Sequence, residues 1–287
     1  MSAVVMSGGP VADAVLAEVR AGVAALASQG RAVGLGTILV GDDSASEGYI
    51  RMKRAKAEEL GIGSFHLSLP AGATQQQLVD AVRRMNEDDR VDAMLVQHPV
   101  PSHLDYDAAL AEMDPDKDVD GLHPCNLGRL ALGTDGPVPC TPAGIEAMLA
   151  HYQVPVEGRD VVILGRGVTL GRPLALLLSQ KRPGANAAVT VVHSAVEEWA
   201  VHTRRADVVV AAVGVPGILR PEHVRPGAAV VGGGVRYEGR RLLPDVDEAV
   251  ADVAGWITPR LGGVGPTTVA MLFRNALRAA QRRQSPS

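Results

Sequence analysis

A chain of 287 residues has room for about two ordinary domains, and its 46% apolar residues are ample for buried cores. A net charge of -4 with only 3% aromatic residues excludes a nucleic-acid or anionic-membrane surface as the evident partner and leaves no base-stacking platform. Cys125 and Cys140 lack the CxxC spacing of a zinc site and are too few for a disulfide framework, so a reduced cytoplasm is the expected compartment. The first ten residues carry no basic-then-apolar leader, and no run reaches the roughly 18 apolar residues of a membrane span.

In chain order, Val11, Val15, Val19, Gly22 and Leu26 step at helical spacing and predict an amphipathic helix over 10–28. A strand over 33–40, a helix over 44–60, a strand near 64–69, a helix near 75–88 and a strand over 91–96 follow. Strands alternating with helices predict βαβ units around a parallel sheet, whose ligands sit beyond the carboxyl ends of strands. Gln97 stands at such an end. Over 114–139 periodicity vanishes while Gly, Pro and Asp accumulate, which predicts a long functional loop. Thr141-Pro142 reads as an N-cap and first helical residue of a helix to about His151. A second alternation predicts strands over 160–164, 189–193, 207–212 and 228–231, with helices over 171–180 and 195–204. A last helix opens at Pro266 and presents Val269, Leu272, Phe273, Ala276 and Leu277 on one face. The fold class is therefore α/β, with two successive parallel sheets.

Two segments carry most of the chemistry. Tyr49 and Lys53, four residues apart, share one helical face, where a phenol and an amine can exchange protons with one small substrate. Arg51, Arg54 and Lys56 surround Lys53, and neighbouring positive charge with burial is expected to lower its pKa. Downstream, Lys117-Asp118-Val119-Asp120-Gly121 supplies carboxylates able to grip an amide-rich heterocycle. A lone lysine on a helix is ordinarily solvated, an acidic run is ordinarily a turn, and His98 is assigned no role. His123 and Cys125 have no further ligands at regular spacing, so no metal is expected.

The apolar run Val161-Val162-Ile163-Leu164 feeds Gly165-Arg166-Gly167-Val168-Thr169-Leu170-Gly171 and then a helix, the setting in which backbone N–H groups meet a pyrophosphate. An NAD site usually carries an acid at the end of the next strand; here that place holds His193-Ser194. Arg166, His193 and Ser194 suit a 2′-phosphate instead, so NADP is the expected cofactor, although Glu197 and Glu198 follow closely.

These segments together resemble the bifunctional methylenetetrahydrofolate dehydrogenase/cyclohydrolase family (the FolD type) over almost the whole chain. Ser46, Tyr49 and Lys53 meet its SxxYxxxK pattern, and Val96-Gln97-His98-Pro99-Val100-Pro101 is similar to VQLPLP. Gly165 to Gly171 is similar to GRSxxVG with Gly167 in place of Ser, and Ala211-Ala212-Val213-Gly214-Val215-Pro216-Gly217 to the AxGxPG turn. Gly262-Gly263-Val264-Gly265-Pro266-Thr267-Thr268 resembles PGGVGPMT, with departures at Arg260, Leu261 and Thr267. Val231-Gly232-Gly233-Gly234-Val235 stands where the family reads IDVGI, the largest departure.

The resemblance implies two α/β domains flanking a cleft. A folate-binding catalytic domain would comprise 1–139 with the C-terminal helix 264–287, and a Rossmann-type NADP-binding domain 140–263. It implies oxidation of 5,10-methylenetetrahydrofolate and hydrolysis of the product to 10-formyltetrahydrofolate, within one-carbon metabolism and purine biosynthesis, by a homodimer. Lys53 would drive the hydrolysis, Tyr49 would position substrate, Gln97 would orient Lys53 and Asp120 would bind the pterin edge, with Asp118 organising the loop. Gly262, Gly263 and Pro266 would approach folate; Gly165, Arg166, Gly167, Gly171, His193, Ser194, Gly214, Pro216 and Val235 would line the cofactor. A short-chain dehydrogenase also uses Tyr-x-x-x-Lys, but there the pair follows the Gly-rich turn; here it precedes it, so the order rejects that reading. A non-catalytic folate- or nucleotide-binding paralogue is a second alternative, which intact Tyr49, Lys53, Gln97 and Asp120 oppose.

Overall fold

In the computed structural model, which describes residues 3–41, 44–238 and 241–283, the chain opens with strand β1 (Val4–Val5) and helix α1 (Gly8–Ser28). Strand β2 (Gly34–Val40), helix α2 (Ser44–Glu59), strand β3 (Gly63–Leu69), helix α3 (Gln75–Glu87) and strand β4 (Ala93–Val96) then alternate as the pattern predicts. Thr74 starts α3 with a capping box: its hydroxyl accepts from Gln77 N at 3.2 Å, and Gln77 Oε1 accepts from Thr74 N at 2.8 Å. Helices α4 (Tyr106–Ala111) and α5 (Pro124–Leu132) follow. The second lies inside the stretch expected as loop, and nine residues led by a proline are too few to print a period on the sequence.

Helix α6 (Cys140–His151) begins two residues before the expected N1 position, Pro142, so Thr141 is not its cap; its hydroxyl accepts from Thr268 Oγ1 at 3.2 Å. Strand β5 (Asp160–Leu164), helix α7 (Gly171–Leu178), strand β6 (Ala188–Val192), helix α8 (Trp199–Thr203), and strands β7 (Val208–Ala211) and β8 (Ala229–Gly232) follow. Only five residues of the expected helix 195–204 are helical. The preceding segment turns instead, with Val196 N donating to His193 O at 2.9 Å. An antiparallel hairpin of β9 (Val235–Glu238) and β10 (Arg241–Pro244), a short β11 (Trp256–Ile257) and helix α9 (Val264–Arg282) complete the order; the last starts at Val264 rather than Pro266.

The chain divides into two units. One comprises 3–13, Leu130–Thr134 and Pro139–Met271, the other Ala14–Arg129, Asp135–Val138 and 272–283. The first holds a six-stranded parallel sheet in the order β1-β11-β8-β7-β5-β6. Side chains of a strand alternate between faces, and β5 shows the consequence. Val161 and Ile163 enter one apolar cluster with Ile145, Leu174 and Leu178, while Val162 and Leu164 enter another with Leu219, Val230 and Val250. Both faces are covered, which is why these strands read as continuous apolar runs.

The second unit holds a three-stranded parallel sheet in the order β3-β2-β4. All seven residues of β2 are buried, with Ile38 and Val40 packed among Leu78, Val82, Met85, Met94 and Val96. The acidic run extends the sheet beyond β4: Met94 N donates to Lys117 O at 2.6 Å and Val119 N to Met94 O at 3.1 Å.

Candidate active site

In the three-stranded unit, Gln97 leaves the carboxyl end of β4 with its N–H donating to Ile38 O at 2.8 Å, so its side chain starts from a fixed point. The buried amide is oriented by its own Nε2, which donates to His98 O at 2.8 Å. Oε1 is thereby turned to Lys53, whose Nζ donates to it at 3.0 Å. Lys53 is half-buried on α2, and Tyr49, one turn earlier, is half exposed. The side chain of Ser46 lies outside the described residues.

The loop 117–121 is fastened from both sides. Lys117 is buried, and its Nζ donates to the carbonyls of Met85, Asn86 and Asp88 at 2.7–3.1 Å, neutralising the C-terminal end of α3. Asp118 accepts from Gly121 N at 3.0 Å, His123 N at 2.7 Å and Asn126 Nδ2 at 3.0 Å. Burial still pushes the Asp118 carboxyl up, against those three bonds. Asp118 thus shapes the loop. Burial pushes Asp120 up as well; the Lys53 ammonium opposes that shift and Asp118 adds to it. Lys53, Gln97 and Asp120 therefore form one electrostatic group.

Tyr106, which its sequence context did not single out, belongs beside that group. Its hydroxyl is pushed far above the ordinary phenol range by burial first and then by Asp120, Asp118 and Asp107, and its ring meets His98 edge-on at 5.2 Å. A single tyrosine in a short helix gives no local signal of such neighbours. The Nδ1 of His123 accepts from Cys125 N at 3.0 Å.

In the six-stranded unit, β5 pairs with β6 on one side and β7 on the other, so the crossovers diverge at its carboxyl end. In open α/β sheets that switch point is where ligands bind. Gly165 has φ +116°, and a Cβ there would collide with Ala212 O; a Cβ on Gly171 would collide with Gly165 O. Glycine at both positions lets the turn fold tightly enough to aim N–H groups outward. Nothing stands within 4 Å of where a Gly167 Cβ would be. Arg166 is exposed, with Nη1 at 3.3 Å from His193 Nε2, while Ser194, Glu197 and Glu198 are exposed beyond the end of β6. The cation and the imidazole thus stand together at the strand end, with a hydroxyl next to them in sequence, a donor set suited to a phosphate rather than to a ribose hydroxyl.

Gly214, at φ +67°, lies near Val235: a Cβ on it would come within 3.9 Å of Val235 O. Val215, Pro216 and Val235 are exposed. Gly262 and Gly263 close a turn whose Gly262 O accepts from Gly8 N at 2.8 Å, and Pro266 lies in the first turn of α9. One further residue of this unit was not legible from its surroundings. Asp245 Oδ2 accepts from Val213 N at 2.8 Å and Gly214 N at 3.0 Å, and burial pushes its carboxyl up against those bonds. Its partners are backbone atoms some thirty residues away, which no local pattern announces.

Comparison with known proteins agrees with this geometry. Residues 6–120 match the family model of the tetrahydrofolate dehydrogenase/cyclohydrolase catalytic domain, and 139–284 that of the NAD(P)-binding domain of the same enzymes. The chain is 64% identical over 280 residues to the Bifunctional protein FolD 1 of Salinispora tropica, covering 98% of this chain and 92% of that one. Among solved structures it is similar to the bifunctional enzyme FolD of Campylobacter jejuni, with TM-score 0.94, 37% identity and coverage of 98% and 100% of the two chains. It is similar also to the FolD of Trypanosoma brucei, solved with NADP cofactor and inhibitor, with TM-score 0.92, 40% identity and full coverage of both chains. The chain belongs to the tetrahydrofolate dehydrogenase/cyclohydrolase family.

Proposed function

We propose that this chain oxidises 5,10-methylenetetrahydrofolate to 5,10-methenyltetrahydrofolate with NADP and then hydrolyses that product to 10-formyltetrahydrofolate. The observation that carries the reading is the Lys53–Gln97 hydrogen bond beside the half-buried Asp120, a cation, an orienting amide and an acid in one unit. NADP, when bound, supplies the hydride acceptor. Gly165, Arg166, Gly167 and Gly171 hold its phosphates, His193 and Ser194 with Arg166 favour the 2′-phosphate, and Gly214, Pro216 and Val235 border the rest.

Asp120 grips the amino-pyrimidine edge of the pterin, where an ionised carboxylate accepts two N–H bonds. Tyr49 positions the one-carbon bridge. In the second step water adds to the methenyl carbon, the bond from that carbon to N5 breaks, one water proton passes to N5 and the other is released. Lys53 serves that proton transfer, and Gln97 holds the amine where the water must be. The three-stranded unit is the folate-binding one and the six-stranded unit the NADP-binding one. By the same family reading the working form is a cytoplasmic homodimer, which light scattering checks.

The test is a coupled assay. The purified chain is given methylenetetrahydrofolate with NADP or with NAD, and formation and decay of the methenyl absorbance are followed. Methenyl formation that is faster with NADP, followed by decay, is the outcome required. Absence of both overturns the reading.

A further inference from the structure

Asp245, the residue after β10, is the one acid of the six-stranded unit that is fully buried among the described residues, at 0% exposure. It is bonded to the segments that follow both β7 and β8. Its side chain accepts the N–H groups of Val213 and Gly214, with Val215 N–H directed at it too. Its own N–H donates to Gly234 O at 3.2 Å, and its carbonyl accepts from Leu219 N at 3.1 Å. Gly234 N in turn donates to Ala211 O at 2.9 Å. A Cβ on Gly234 would collide with Asp245 Oδ2. The other oxygen, Oδ1, is buried with no hydrogen-bond partner among the described residues.

A carboxylate in such a place is not there for packing. An apolar side chain would fill the volume without the desolvation of a charge, but it would leave consecutive backbone N–H groups unsatisfied. Gly232-Gly233-Gly234 contributes no side chain at the end of β8, so support for the turn 213–215 has to come from elsewhere. Val215 and Pro216, which follow in the same turn, are exposed. The carboxylate thus holds a turn whose next residues are exposed.

We propose that Asp245 is a positioning residue for the dehydrogenase step: its carboxylate fixes the turn 213–215 against Gly234 and so sets the ledge on which NADP rests. This depends on the reading, given above, that the turn borders the cofactor. Asp245 touches neither the hydride nor the folate. Its effect passes through the backbone of Val213 and Gly214, and Lys53, Gln97 and Asp120 lie in the other unit.

The experiment compares Asp245→Ala, Asp245→Asn and Gly234→Ala with wild type in NADP-dependent oxidation, in methenyl hydrolysis without cofactor, and in thermal unfolding. Asp245→Ala should raise KM for NADP by at least about tenfold, the size of one charge-assisted hydrogen bond. Hydrolysis should stay at the wild-type rate. Asp245→Asn, which keeps one acceptor oxygen toward the turn, should recover most of the loss, a rescue that a folding defect does not predict. If Asp245→Ala does not fold, Gly234→Ala carries the test, because its methyl displaces the carboxylate from the same N–H groups and should produce the same KM effect. Wild-type NADP kinetics in the folded variants overturn the proposal, as does equal loss of both activities with a lowered Tm. A wild type that oxidises nothing with NADP overturns the functional reading itself, and is told apart because it fails before any substitution is made.

Discussion

Replacing Gln97 by Leu, alone and together with Lys53→Met, tests whether the amide works only through the amine. The Lys53–Gln97 bond is 3.0 Å long and involves a cation and an acceptor that is only 9% exposed. Because Gln97 Nε2 is already committed to His98 O at 2.8 Å, the amide cannot flip, and Oε1 has a single orientation. A hydrogen bond to a charged group contributes about 1.5–3 kcal/mol, so Gln97→Leu should slow methenyl hydrolysis roughly ten- to hundredfold. Lys53→Met removes the proton-transfer group itself, for which losses of about 10²–10⁴-fold are usual. The double variant should then be no slower than Lys53→Met, since an orienting group has nothing left to orient. Hydride transfer has no use for an amine and should fall less in all three variants. The assay is decay of the methenyl absorbance beside NADPH formation from methylenetetrahydrofolate. Additive losses in the double variant, or undiminished hydrolysis in Lys53→Met, would refute the arrangement.

In the proposed role Asp120 grips the pterin edge only when ionised, and burial has raised its pKa, so folate binding should be lost as pH falls through a midpoint above the ordinary value of 3.8. Lys53 holds that pKa down, so Lys53→Met should move the midpoint further up; titrating folate affinity against pH in both proteins checks the sign. At neutral pH Asp120→Asn should weaken folate by about 1.5–3 kcal/mol and leave NADP binding unchanged, whereas equal weakening of both ligands would mark a structural role. Arg166→Ala should weaken NADP more than NAD, by roughly ten- to hundredfold if a charge-assisted contact to the 2′-phosphate is lost, and equal use of the two cofactors by the wild type would disprove the phosphate site. Gly167→Ser should fold with wild-type Tm, because its side chain meets open space, whereas Gly171→Ala should lose NADP binding by driving the helix start off Gly165.

The βαβ alternation, the Gly-rich turn after β5 and the Tyr49–Lys53 spacing are local, and the sequence by itself determined them. Periodicity reports which face of a helix or strand is buried, and a tight turn declares itself by where glycine is required. Helix α5 and the hairpin of β9 and β10 escaped that reading because each is too short to print a period, and the exact start of α6 because Thr141 is bonded to Thr268, far along the chain. The same division runs through the sites. Asp118 and Asp120 are two residues apart with the same side chain; the family resemblance separates their roles, and the structure supplies the physical reason, bonding Asp118 to backbone N–H groups and leaving Asp120 beside Lys53. Asp245 acquires its neighbours from a segment remote in the chain, and Tyr106 from the loop that carries Asp118 and Asp120. A residue's type and spacing fix what chemistry it can do, while burial and long-range hydrogen bonds decide whether its charge is spent on the fold or left for a ligand.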